Sequence, residues 1–232
     1  MSGILKLVYS QERMPLNDYL VSLFDDDQDH IFQTELVKSV SDTNFQILKD
    51  IQTLFCPGGF ECDVTYSSGT FYKGITPPAI KLDLIPQTPD TIQADVRALP
   101  LASNSMSNVM FDPPFLTGSK NKDAKLGIMK ERFSVYPSIK DLWAMYQDAL
   151  VELYRVLQPK GILIFKCQDT VESGTNYFTH VQVMNDAVAV GFSSKDMFIL
   201  TSDVRPIRSG QKKQVHARKF HSYFWVFEKG KK

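Results

Sequence analysis

Cysteine is scarce in this chain, and its distribution excludes two kinds of scaffold. Cys56, Cys62 and Cys167 make an odd number, and no C-x-x-C occurs. That argues against a disulfide framework and against a zinc ribbon, and no metal is expected. Buried thiols in a reducing cytoplasm are the simpler expectation. Long apolar runs are also missing: none approaches the roughly 20 residues needed to span a bilayer. The opening Met1-Ser2-Gly3-Ile4 lacks the charged and apolar regions of a secretory leader. Nor is there an excess of one charge, since 26 Lys plus Arg face 26 Asp plus Glu. Bulk charge therefore neither demands nor excludes a nucleic-acid partner, and its distribution must decide. No internal repeat, low-complexity segment or composition break divides the chain.

What is present suits one α/β domain. The length is 232 residues and the hydrophobic content 43%, enough to bury a sizeable core. Residues 1–59 read as a helical preface packed on the same domain. An acidic run, Asp25, Asp26, Asp27 and Asp29, precedes apolar residues at helical spacing from Thr34 to Phe55. A break and a new N-cap are expected near Ser41-Asp42-Thr43-Asn44. After the breaker Pro57-Gly58-Gly59, residues 60–232 alternate between strands and helices. Strands are expected at 60–66, 79–84, 91–94, 107–111 and 162–165. Ser138 and Asp141 form a capping box for a helix running to about Leu157, which Pro159-Lys160-Gly161 ends. A second helix covers 181–190. A final pair of strands, 198–200 and 223–227, has no helix between its members and is expected to pair antiparallel. The pattern predicts a doubly wound, mostly parallel, seven-stranded sheet with an antiparallel last strand.

Ligands of open α/β sheets sit beyond the carboxyl ends of the strands, and four strand ends here carry special residues. After the first strand, Asp63 can hold an ammonium group, and Gly69 lets backbone approach a ligand. Asp83, ending the second, can accept ribose hydroxyls. Asp95, after the third, can accept the amino group of an adenine. The fourth end is Asp112-Pro113-Pro114-Phe115. Two prolines fix two φ angles and remove two donors, leaving an edge that offers only acceptors. Such an edge suits an amino group, whose lone pair becomes a better nucleophile as its N–H donors are engaged. The adjacent ring can stack on a base. The G-x-G-x-x-G of nicotinamide-binding turns is absent after the first strand.

Asp112-Pro113-Pro114-Phe115 resembles the D-P-P-[YF] motif of the S-adenosylmethionine-dependent amino-methyltransferases of DNA, the adenine-N6 and cytosine-N4 group. Asp63 to Thr70 is similar to their first cofactor motif. Glu152-Leu153-Tyr154-Arg155-Val156-Leu157-Gln158-Pro159-Lys160-Gly161 is similar to the E-x-x-R-V-L-K-P-G-G stretch of many methyltransferases. Together these cover roughly residues 60 to 170. Gly69 is the only glycine of its turn, and Lys160 stands where the first of two glycines usually sits. The resemblance implies a class I, Rossmann-like methyltransferase fold with S-adenosyl-L-methionine as cofactor. It implies catalysis by Asp112, Pro113, Pro114 and Phe115, and cofactor binding by Asp63, Thr65, Gly69, Asp83, Asp95, Val96 and Asp112. The expected product is a base methylated on its exocyclic nitrogen, N6 of adenine in DNA first.

Two segments gather positive charge. Residues 116–140 hold Lys120, Lys122, Lys125, Lys130, Arg132 and Lys140 against two acids, and residues 205–221 hold Arg205, Arg208, Lys212, Lys213, Arg218 and Lys219 against none. Neutralisation of phosphates by such segments is the usual source of nucleic-acid affinity. Methylation of an RNA base would use the same chemistry, and a non-catalytic DNA-binding subunit is the reading from a different class. No stretch of about a hundred residues is available as a separate recognition domain. Specificity is thus left to short loops, to a partner subunit or homodimer, or is low.

Overall fold

The computed structural model describes residues 36–115, 117, 136–202 and 214–231. The chain falls into two compact units, Met1–Leu36 and Val37–Lys232. Of the first, only Leu36 is described, so most of the expected preface, with its acidic run, lies outside the described residues.

Two apolar runs set the centre of the second unit. Strand β5 (Met106–Phe111) and strand β6 (Leu157–Cys167) pair parallel, with Phe111 opposite Phe165. From Ile162 to Cys167 every residue of β6 is buried, as a strand covered on both faces must be. Its side chains alternate between two layers, as the period of two requires. Ile162 and Ile164 join Met110 and helix α1 (Asn44–Phe55), through Ile47, Leu48 and Ile51. Leu163, Phe165 and Cys167 join Phe111 and helix α2 (Ile139–Val156), through Leu142, Tyr146, Ala149 and Leu153. Helix α3 (Thr179–Val190) adds Val183 and Ala187 to that second layer.

The remaining strands are β1 (Val40–Ser41), β2 (Cys62–Asp63), β3 (Ile80–Asp83), β4 (Ile92–Gln93), β9 (Phe192–Thr201) and β10 (His221–Lys229), with a separate hairpin of β7 (Thr170–Glu172) and β8 (Thr175–Tyr177). The main sheet runs β1-β9-β10-β6-β5-β2-β3-β4. Strand β10 is antiparallel to both neighbours, and all other pairings are parallel. The doubly wound order and the antiparallel last strand match the sequence reading.

Among the described residues the sheet has eight strands, not seven. The extra one, β1, pairs Val40 with Ile199 in a stretch read as helical. The Ile199 amide donates to the Ser39 carbonyl at 2.7 Å, a long-range partner that no local pattern announces. The helix starts afresh behind Thr43, whose hydroxyl accepts from the Gln46 amide at 3.2 Å, as the break near 41–44 predicts.

Pro159-Lys160-Gly161 does not separate helix from strand. Helix α2 stops at Val156, and β6 begins at Leu157 and passes through the three residues as an irregularity, with a register shift against β5 and Lys160 at φ +66°. The helix end has its own cap. The buried Lys229 ammonium donates to the carbonyls of Tyr154 and Leu157 and to Asn104 Oδ1, at 2.5, 2.7 and 2.7 Å. A cation there also faces the negative end of the helix dipole. At the other end Ser138 caps as expected, accepting from the Asp141 amide at 3.3 Å. Among the described residues no helix is long and apolar enough to cross a membrane.

Candidate active site

The carboxyl ends of β2, β3, β4 and β5 border a cleft lined by Thr65, Asp83, Asp95, Val96, Asp112 and Pro114, with apolar walls from Val64, Leu84, Ile85, Phe111 and Met145. Asp63, Gly69, Pro113 and Phe115 do not line it.

Asp63 is only 1% exposed. Its Oδ1 accepts from the Thr65 amide at 2.7 Å and the Thr65 hydroxyl at 3.2 Å, and its Oδ2 accepts from the Tyr72 hydroxyl at 2.7 Å. Burial pushes its carboxyl up to about 7, against the pull of those donors. In this geometry it organises the turn rather than facing the cleft. Thr65 links it to the next strand, because the Asp112 amide donates to the Thr65 hydroxyl at 2.8 Å. Gly69, at φ +71°, is required by its neighbour: a Cβ there would collide with the Tyr66 phenol. Its freedom thus has a reason within the fold.

Asp83 accepts from the Ser67 and Ile85 amides, both at 2.8 Å, one on each oxygen. These bonds fix its orientation and leave further lone pairs for hydroxyl donors. Asp95 has a bidentate partner two residues on, with Arg97 Nη2 at 2.6 Å and Nε at 3.0 and 3.2 Å. The guanidinium holds its carboxyl below the usual range. Sequence reasoning offered Asp95 a nucleobase amino group and missed this local competitor.

Asp112 is held differently on its two oxygens. Lys166 Nζ lies 3.2 Å from Oδ2. Oδ1 is buried and has no hydrogen-bond partner among the described residues. Buried acceptors are nearly always paired, so an orphan marks a place where a donor is wanted. Lys166 is nearly buried too. Its ammonium sits 4.8 Å from the Phe71 ring centre and 5.3 Å from that of Phe224, two rings stacked on each other. The sequence reading passed over this residue, whose signal was a single cation at the end of an otherwise apolar central strand. Pro113 is buried, and Asp112, Pro114 and Phe115 are half-buried. The Tyr146 hydroxyl donates to the Pro114 carbonyl at 3.0 Å, which fixes the turn on helix α2.

The Glu152–Arg155 pair acts at a distance from this cleft. Arg155 binds Glu152 at 2.7 and 2.8 Å, while Glu152 accepts from the Leu99 amide and Arg155 donates to the Leu99 carbonyl. It pins the segment after β4 to α2. Among the expected nucleic-acid contacts, Lys120, Lys122, Lys125, Lys130, Arg132, Arg205, Arg208, Lys212 and Lys213 lie outside the described residues; Arg218 and Lys219 are described and half-buried. No group of three or more His, Cys, Asp and Glu among the described residues is placed to hold a metal ion.

The sequence matches no family model and no curated protein. Similar solved structures exist. One is a Thermus thermophilus protein proposed to be a DNA modification methylase, complexed with S-adenosyl-L-methionine: 17% identity, 59% of this chain, 54% of that one, TM-score 0.42. Another is the PvuII DNA methyltransferase, cytosine-N4-specific: 18% identity, 60% and 48% coverage, TM-score 0.44. A third is the [4+2]-cyclase SpnF: 14% identity, 74% and 75% coverage, TM-score 0.46. The chain spans about half the length of the DNA modification methylase structures it resembles. Likenesses of this strength identify neither substrate nor reaction.

Proposed function

We propose that this protein transfers a methyl group from S-adenosyl-L-methionine to the exocyclic amino group of a nucleic-acid base, in the first place N6 of adenine in DNA. The observation that carries the reading is the orphaned Asp112 Oδ1, a buried acceptor at the end of β5 bordering the cleft. An amino group is the donor that such an edge suits. The residues present also fit the cofactor. Asp83 offers an oriented carboxylate to ribose hydroxyls, Val96, Leu84 and Ile85 offer apolar surface to the nucleoside, and Thr65 and Asp95 border the same space. When bound, the cofactor supplies an electrophilic methyl group on a sulfonium.

The chain's own part is orientation. Lys166 holds Oδ2, Thr65 holds the Asp112 amide, and the two prolines keep the backbone rigid, so the carboxylate that is to accept the amino hydrogen is held in one orientation. Accepting that hydrogen bond raises the nucleophilicity of the nitrogen, and the acceptor matters most as positive charge develops there. Phe115, beside the prolines, is the ring assigned to the base. The three cysteines are free and buried, in keeping with a cytoplasmic enzyme. RNA shares the chemistry and is an outcome of the test. The protein is incubated with labelled cofactor and DNA or RNA, the polymer is digested, and the methylated nucleoside is identified. Labelled N6-methyldeoxyadenosine is expected; label on neither polymer would overturn the reading.

A further inference from the structure

The β7–β8 hairpin ties together parts of the chain that are far apart in sequence. At one side, the Glu172 carboxylate accepts from the Ile139 amide at 3.2 Å, at the start of α2. At the other, His216 Nε2 lies 2.7 Å from the Gly174 carbonyl and Nδ1 lies 3.0 Å from the side-chain Nδ2 of Asn176. One tautomer satisfies both: Nε2 donates and Nδ1 accepts. Ile139 and His216 lie within the two cation-rich segments of the sequence, 116–140 and 205–221.

Beside the hairpin stands Phe178, 55% exposed. Lys219 Nζ lies over its ring, 5.9 Å from the centre. The one carboxylate among residues 170–178 and 214–219, Glu172, is engaged by α2. This face therefore offers an aromatic ring with a cation over it and no spare acid. It lies on the same rim as Asp112, because β6 carries Lys166 and leads directly into the hairpin.

We propose that Phe178, Lys219 and the His216-stapled segment form a platform for unpaired nucleotides of the substrate strand, with a base stacked on Phe178 and a phosphate met by Lys219. The proposal rests on the methyl-transfer reading for the identity of the polymer. The strand must be unpaired because bases inside a duplex present no free face to a ring, whereas base–aromatic stacking tolerates any sequence.

The test is fluorescence anisotropy of the full chain with a labelled twelve-nucleotide single-stranded DNA, and with the duplex of the same sequence, over a range of salt. Phe178→Ala should weaken single-strand binding about tenfold, and Phe178→Trp should retain it. Lys219→Gln should flatten the log–log salt dependence by about 0.7. His216→Ala should weaken binding in the same direction as Phe178→Ala. Duplex binding should depend little on Phe178. Unaltered single-strand affinity in Phe178→Ala, equal losses on both substrates, or no binding by the wild type would each overturn the platform. Because Phe178 is exposed, its variants should melt with the wild type. A wild type that binds through Phe178 but transfers no methyl group removes the proposed function alone. A wild type that methylates DNA while Phe178→Ala binds and reacts equally removes the platform alone.

Discussion

Asp63 and Asp112 end neighbouring strands of one sheet and share a neighbour in Thr65, yet their environments are opposite. Asp63 has three donors on two oxygens and almost no exposure. Asp112 has a cation on one oxygen and, among the described residues, no partner on the other. Position at a strand end therefore does not fix the environment of a carboxylate. What distinguishes them is unused acceptor capacity. Asp63 spends its capacity on its own turn, while Asp112 retains some among the described residues.

The comparison breaks most sharply at Asp112. Asp112→Ala should slow single-turnover methyl transfer at saturating cofactor by at least about a hundredfold, with cofactor still bound. A wild-type rate would make the two aspartates equivalent and the turn merely structural. Next in size is Asp83→Ala, which removes an oriented acceptor and should weaken S-adenosylmethionine binding about ten- to a hundredfold by calorimetry. Lys166→Met tests whether the asymmetry of Asp112 needs its cation. The rate should fall about tenfold with cofactor affinity unchanged; an unchanged rate would mean that the carboxylate is oriented without it.

A separate effect concerns Asp63 and appears in stability rather than in rate. Its carboxyl rises from the ordinary 3.8 to about 7 in the fold. Between those values the native state holds more protons than the unfolded chain, so stability falls as pH rises. Asp63→Asn cannot ionise. Its stability relative to the wild type, measured by urea unfolding, should improve from about pH 4 to about pH 7 and level off above. A gap independent of pH would show that Asp63 is charged in the fold.

Much of this was legible in the sequence for identifiable reasons. Helix α2 has a strong apolar stripe and a local cap at Ser138. Strand β5 is an apolar run that delivers Asp112 to the rim. The antiparallel β9–β10 pair follows from two strands without a helix between them. The failures share a cause as well: each depends on a partner distant in sequence or on chemistry masked by a stronger pattern. Strand β1 exists because of β9. Lys166 was overshadowed by the apolar residues before it. The β7–β8 hairpin turns at Ser173 and Gly174, φ +49° and +79°, but its short polar strands have no periodicity to read. Two nearby partners were unread for the opposite reason: Arg97 on Asp95 and Tyr66 against Gly69 are close in sequence, but no pattern marks them as partners.

The reversed direction of β10 has a consequence for how this protein can vary. Thr201 pairs with His221, and the Ser202 amide donates to the Phe220 carbonyl at 2.7 Å. The two ends of the intervening segment are thus clasped together on the rim that carries Asp112. Lengthening a closed loop costs free energy only as the logarithm of its length. By that rule a change in the number of residues between Ser202 and Gln214 should cost the β9–β10 pairing little, whereas His216 is tied to the β7–β8 hairpin. A chain lengthened there should melt close to the original, because the clasp at Thr201 and His221 holds the two strands in register whatever the length between them.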